Sequence, residues 1–133
     1  DDRTEFSFVE QESIDNIKNQ GKEVVVEWIP EGFSQCNQSE NKFAFRMDYC
    51  SDDGEEFSIA VFDGTNMKFG VDTEDAEVES VDIQGEEGIM ASKNGIIQIA
   101  WANQELHSYF NVNGPESMRE DLIKVAQGVK IFT

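Results

Sequence analysis

The stretch KFAFRMDYCSDDGEEFSIAVFD, residues 42–63, decides how the fold is read. Apolar groups recur at every second position: Phe43, Phe45, Met47 and Tyr49 before Asp52-Asp53-Gly54, then Phe57, Ile59 and Val61 after it. A period of two marks a half-buried strand, because successive side chains of extended backbone point to opposite faces. With Asp52-Asp53-Gly54 as a three-residue hairpin loop and Gly54 left-handed, Tyr49 faces Phe57, Met47 faces Ile59 and Phe45 faces Val61. All of these groups then share one face.

The same test extends downstream. A two-residue type I′ turn at Asn94-Gly95 pairs Ser92 with Ile97, Met90 with Ile99 and Gly88 with Trp101. A second tight turn at Asn103-Gln104 places Trp101 opposite Leu106, Ile99 opposite Ser108 and Ile97 opposite Phe110. A four-residue loop, Gly85-Glu86-Glu87-Gly88, places Ile83 opposite Met90 and Val81 opposite Ser92. The three turns agree on one apolar face, which a one-residue slip would scramble. The prediction is an antiparallel meander.

Upstream, EVVVEWIPEGFS (residues 23–34) runs like a buried strand until Pro30 removes a backbone donor. It reads as an early edge strand, where the missing N–H faces solvent and Gly32 permits a bulge or bend. In the tail, GPESMREDLIKVAQGV (residues 114–129), Met118, Leu122, Val125, Ala126 and Val129 form one helical stripe. Asn113 or Gly114 caps that helix, Pro115 suits its first turn and Gly128 stops it. Residues 13–19, with Ile14 and Ile17, read as a short helix.

The predicted fold is therefore α+β: a curved antiparallel sheet of about seven strands, with the C-terminal helix on its apolar face. One domain covers residues 1–133, with an N-terminal segment at 1–22, the sheet at 23–113 and the helix at 114–129.

Composition narrows the function. Twenty-eight acids against ten bases give a formal charge of −18, which repels nucleic acid and anionic lipid. Nucleic acid is excluded as a partner. The acidic runs Asp52–Glu56 and Asp72–Glu77 lack the EF-hand spacing and read as a turn and a solvated loop. No apolar run approaches the roughly 20 residues of a membrane span. The chain opens Asp1-Asp2-Arg3, without Met or an apolar leader, so the expectation is a longer protein in which any membrane anchor precedes Asp1.

Catalytic chemistry finds little support. His107 is the only histidine, and no nucleophile signature accompanies it. Cys36 and Cys50 show no CxxC spacing, and one histidine cannot complete a zinc site from nitrogen and sulfur donors. No cofactor or metal is expected. If residues 37–42 close a hairpin, Cys36 lies opposite Phe43 and Cys50 sits about 23 Å further along. Cα atoms more than about 7 Å apart cannot be bridged, so in that register the cysteines read as free thiols, with a disulfide, which would require separate geometry, as the alternative.

WIPEGF at the first long strand (residues 28–33), VDTEDAEVESVDIQGEEGIMASKNGIIQIAWANQELHSYFNVNG (71–114) and MREDLIKVAQGV (118–129) carry a family resemblance. In order and spacing they resemble the domain of unknown function 4367 family, over residues 23–129. That family is found at the extracytoplasmic C-terminal end of membrane-anchored bacterial proteins, many of them similar to anti-sigma factors. The resemblance implies a non-enzymatic domain outside the cytoplasmic membrane, with a sheet similar to lipoprotein-carrier half-barrels. It brings no catalytic residues to this chain.

The registers above leave a second face bearing Ala60, Phe62, Ile89, Ala91, Ile96, Ala100, Ala102, His107 and Tyr109, small or aromatic rather than charged. Either the N-terminal segment, with Phe6, Phe8, Ile14 and Ile17, covers part of it, or it is a groove. Phe62, Ala100, His107 and Tyr109 are the candidate ligand- or partner-binding residues. The expected function is a non-catalytic binding or sensory domain of an anti-sigma-factor-like regulator, with a protein or peptide partner. The alternative is a carrier holding a lipid or other apolar ligand in the concavity of the sheet.

Overall fold

Residues 23–40, 44–63, 76–103, 105 and 107–132 are described by a computed structural model. β1 (Glu23–Val26) is followed by β2 (Phe33–Glu40), β3 (Ala44–Ser51) and β4 (Glu56–Asp63). After these come β5 (Glu77–Ile83), β6 (Glu86–Lys93), β7 (Ile96–Asn103) and β8 (Ser108–Pro115). A 3-10 turn (Glu116–Met118), the helix α1 (Arg119–Gln127) and β9 (Val129–Phe132) complete the described chain. The predicted N-terminal helix at 13–19 and the covering role of that segment lie outside the described residues.

The seven-stranded antiparallel sheet has the order β2-β3-β4-β8-β7-β6-β5. It comprises two meanders, β2–β4 and β5–β8, joined where β4 pairs with β8. The sequence suggested a single meander, because turn signals report only neighbours in the chain. β1 stands apart, paired with β9 in a two-stranded sheet.

The β3–β4 hairpin has the predicted register, Tyr49↔Phe57, Met47↔Ile59 and Phe45↔Val61. Gly54 supplies the left-handed residue at φ +86°, and its N–H donates to the Ser51 carbonyl at 3.1 Å. The β6–β7 hairpin also agrees, with Ser92↔Ile97 and Met90↔Ile99 around Asn94 and Gly95 at φ 53° and 80°.

Two other registers differ from the prediction. β5 and β6 join through a two-residue turn at Gln84-Gly85 (φ 56° and 86°), so Val81 faces Gly88 and Glu79 faces Met90. β7 and β8 join through a longer turn ending at His107 (φ 52°), so Trp101 faces Phe110 and Ile99 faces Val112. Each slip is an even number of residues, which leaves the side chains that stay in the strands on their predicted faces, so alternation alone could not detect it. Stacking of Trp101 on Phe110, with centroids 4.9 Å apart, favours the observed pairing.

The inner face packs against α1. Leu122, Val125 and Ala126 are fully buried against a core that includes Ile59, Ile99, Trp101 and Val112. Full burial of a Leu or Val side chain contributes about 1.5–3 kcal/mol. The helix is shorter than predicted. Gly114 belongs to β8, where an added Cβ would meet the Phe57 Cβ at 2.9 Å and Leu122 at 3.2 Å. Gly128 ends the helix as expected, but Val129 begins β9 instead of extending the stripe. Gln84 ties the β5–β6 turn to this end of the helix, its Nε2 donating to the Ala126 and Val129 carbonyls at 3.1 and 2.7 Å.

Pro30 is not in a strand. It opens a turn between the two sheets, in which the Phe33 N–H donates to the Pro30 carbonyl at 3.2 Å and Gly32 takes φ +91°. That is the third-position geometry a type II turn assigns to glycine. The edge strand begins just after it, at Phe33.

The reading of Cys36 and Cys50 as free thiols is overturned: they form a disulfide, with Cα atoms 5.8 Å apart. β2 runs on to Glu40, so Ser34 lies opposite Cys50, and a bulge between Gln35 and Asn37 brings Cys36 alongside. The hairpin loop had been placed too early, and a bulge leaves no mark on hydrophobic alternation.

Candidate functional site: the outer face of the sheet

The face away from α1 divides in two. In the middle of β3 and β4 it is polar and buried: Arg46 and Asp48 lie two residues apart on β3, and Ser58 stands directly opposite Asp48. Asp48 Oδ1 accepts from Arg46 Nε at 2.8 Å and from Ser58 Oγ at 2.6 Å, while Oδ2 accepts from Asn37 Nδ2 at 3.2 Å. The Ser58 oxygen in turn accepts from an Arg46 guanidinium nitrogen at 3.0 Å. Burial pushes the Asp48 carboxyl upward, but the hydrogen bonds from Ser58, Arg46 and Asn37 outweigh it and hold the carboxyl below its ordinary range. Sequence reasoning passed over this cluster. The signal was present, because the register pairing Met47 with Ile59 already sets Asp48 opposite Ser58.

The four candidate residues fall in different places. Phe62 and Tyr109 are cross-strand partners with ring centroids 5.5 Å apart. Tyr109 is fully buried, and burial pushes its phenol pKa up. Ala100 is buried one row away, opposite Asn111, while Phe62 is partly exposed. His107 is exposed in the β7–β8 turn and does not join the sheet face. Its predicted position followed from the tight turn assigned at Asn103-Gln104.

Open apolar surface lies on the other half of this face. Val78 on β5, Ile89 on β6 and Ile96 on β7 are 50%, 36% and 46% exposed. They surround Ala91: Val78 lies across the strand pair from it, Ile89 two residues along the same strand, and Ile96 diagonally across β7. Sequence analysis placed Ile89 and Ile96 on this face, but the slipped β5 register obscured how Val78 joins them.

The described residues define an α+β domain in which an open antiparallel sheet is backed by α1 and keeps part of its opposite face exposed. The chain belongs to the family described as Domain of unknown function (DUF4367), whose model matches residues 23–129. That span runs from the start of β1 to the start of β9. No curated protein and no solved structure matches the chain.

Proposed function

We propose that the chain is a non-catalytic, extracytoplasmic interaction domain of a membrane-anchored, anti-sigma-factor-like regulator. It meets a protein or peptide partner through the outer face of β5–β7. The observation that carries this reading is the exposure of Val78, Ile89 and Ile96 together on one face, since clustered exposed apolar groups are the usual mark of a contact surface. The Cys36–Cys50 disulfide supports the extracytoplasmic location, because such bonds persist in oxidising compartments. The Ser58–Asp48 pair supports a non-catalytic role. A carboxylate already committed to Arg46 and held below its usual pKa is a weak base for activating a hydroxyl.

The carrier alternative, with a lipid in the concavity, has less support. α1 fills the apolar face with Leu122, Val125 and Ala126, and a lipid there would have to displace it. The test compares wild type with Ile89→Ser/Ile96→Ser in retaining proteins from a cell-envelope extract, with native mass spectrometry of each purified protein. A protein retained by wild type and lost by the equally stable variant supports the proposal. Equal retention by both, or stoichiometric lipid on wild type, overturns it.

A further inference from the structure

Among the described residues β5 is the last strand of the sheet, so one of its sides is an edge. The two-residue turn at Gln84-Gly85 makes Ile83↔Glu86 a hydrogen-bonded pair, and the alternation of an antiparallel ladder extends this to Val81↔Gly88 and Glu79↔Met90. The backbone N–H and C=O groups of Val78, Ser80 and Asp82 therefore point away from β6. Gln127 Nε2 donates to the Asp82 carbonyl at 2.7 Å, which caps that end of the edge. Val78 and Ser80 present their backbone groups beyond the cap, and both side chains are exposed on the outer face.

The charge around this edge has one sign in excess. Glu77 and Glu79 flank Val78 on the inner-face side, and Asp82 and Glu87 stand directly opposite each other on the outer side. Like charges opposed across a strand pair repel. Arg119 reaches Glu79 at 3.1 Å, which leaves the acids in the majority.

Resting on the binding reading above, we infer that the β5 edge takes up an extended, cationic peptide segment of a partner protein as an added strand. Main-chain bonds to Val78 and Ser80 hold such a segment, and its alternate side chains set the specificity. An apolar residue opposite Val78 extends the patch formed with Ile89 and Ile96. Lys or Arg at the neighbouring positions lies beside Glu77 and Glu79. Charge disfavours a second copy of this chain as the occupant: two β5 edges would bring their acids together on chains that each carry −18.

The test uses a nine-residue peptide alternating Lys and Val, with a Glu/Val peptide as control, followed by backbone amide NMR and titration calorimetry. The Lys/Val peptide is expected to bind, to protect the Val78 and Ser80 amides from exchange and to weaken as salt is raised. Val78→Pro removes an N–H that faces solvent in the free protein, so the fold tolerates it while affinity falls about ten-fold. Should that variant not fold, amide protection in the wild type decides the matter alone. Equal binding of the Glu/Val peptide, or protection confined to other strands, overturns the inference. So does a concentration-dependent homodimer formed through β5. If Ile89→Ser/Ile96→Ser abolishes capture of the natural partner while Val78→Pro does not, the face reading stands and the edge inference fails.

Discussion

Removing the Cys36–Cys50 bridge is the perturbation whose size is best worked from the structure. The disulfide closes a loop running from Cys36 through the β2–β3 connection to Cys50, a separation of 14 residues. For a loop of about 15 residues, the chain-entropy model gives about 3 kcal/mol of stabilisation, through restriction of the unfolded chain. β2 and β3 are paired on both sides of the bulge that carries Cys36. The full effect requires that β2 remain part of the cooperative unit. Its residues from Ser34 to Gln38 are exposed, and among the described residues its neighbour in the sheet is β3 alone, so in the reduced protein this end frays first. A Cys36→Ser/Cys50→Ser variant should therefore lose up to about 3 kcal/mol, roughly 10 °C in melting temperature. Hydrogen exchange should show its protection loss concentrated in β2. Urea unfolding followed by Trp fluorescence gives the first number, and thiol titration of the unreduced native protein checks the premise. Two titratable thiols, or a variant with an unchanged urea midpoint, would refute the reasoning.

Trp101→Ala empties a site between β7, β8 and α1, and should cost about 3–5 kcal/mol in denaturant melts; a loss below about 1 kcal/mol would place Trp101 outside the core. Changing Phe62 and Tyr109 together to Ser should destabilise by several kcal/mol, because Tyr109 is fully buried, whereas Ile89→Ser should stay within about 0.5 kcal/mol of wild type. Arg46→Ala leaves Asp48 buried without its cation and should cost about 3–5 kcal/mol by the same melts. The Asp48 pKa is depressed in the fold, so its contribution is present above the ordinary carboxylate value near pH 4 and is lost as pH falls through the lower folded value. Asp48→Asn should accordingly flatten the fall in stability below pH 4, as read from melts across that range.

Much of this fold was legible because glycine and Asn-Gly turns pin loop length. Gly54 and Gly95 occupy left-handed positions that set the β3–β4 and β6–β7 registers, and both were read correctly. At Gln84-Gly85 and before His107 the left-handed residues include Gln and His, which carry no such signal, and the resulting even slips left the apolar alternation intact. Val129 satisfied the helical stripe and was read as helix, although Val129–Phe132 needs β1 as its partner. Local periodicity contains no term for a strand that pairs with the opposite end of the chain. The site was legible as a face but not in its exposure. Ala100 and Tyr109 sit among the small and aromatic residues that looked available, and burial decides against them, whereas Val78 required the true β5 register. The Arg46–Asp48–Ser58 cluster was implicit in a register already assigned correctly, and went unread because the polar positions of an alternating strand are expected to face solvent, whereas here they are buried.

The central claim is that the outer face of β5–β7 meets a protein partner. Its most direct test places a photo-crosslinking amino acid at Ile89 in the protein as expressed in its own cells, with exposed Glu120 on α1 as the control position. Irradiation should give a discrete protein adduct at position 89 and none at 120. A lipid adduct at 89, no adduct at either position, or the same adducts at both would contradict the account.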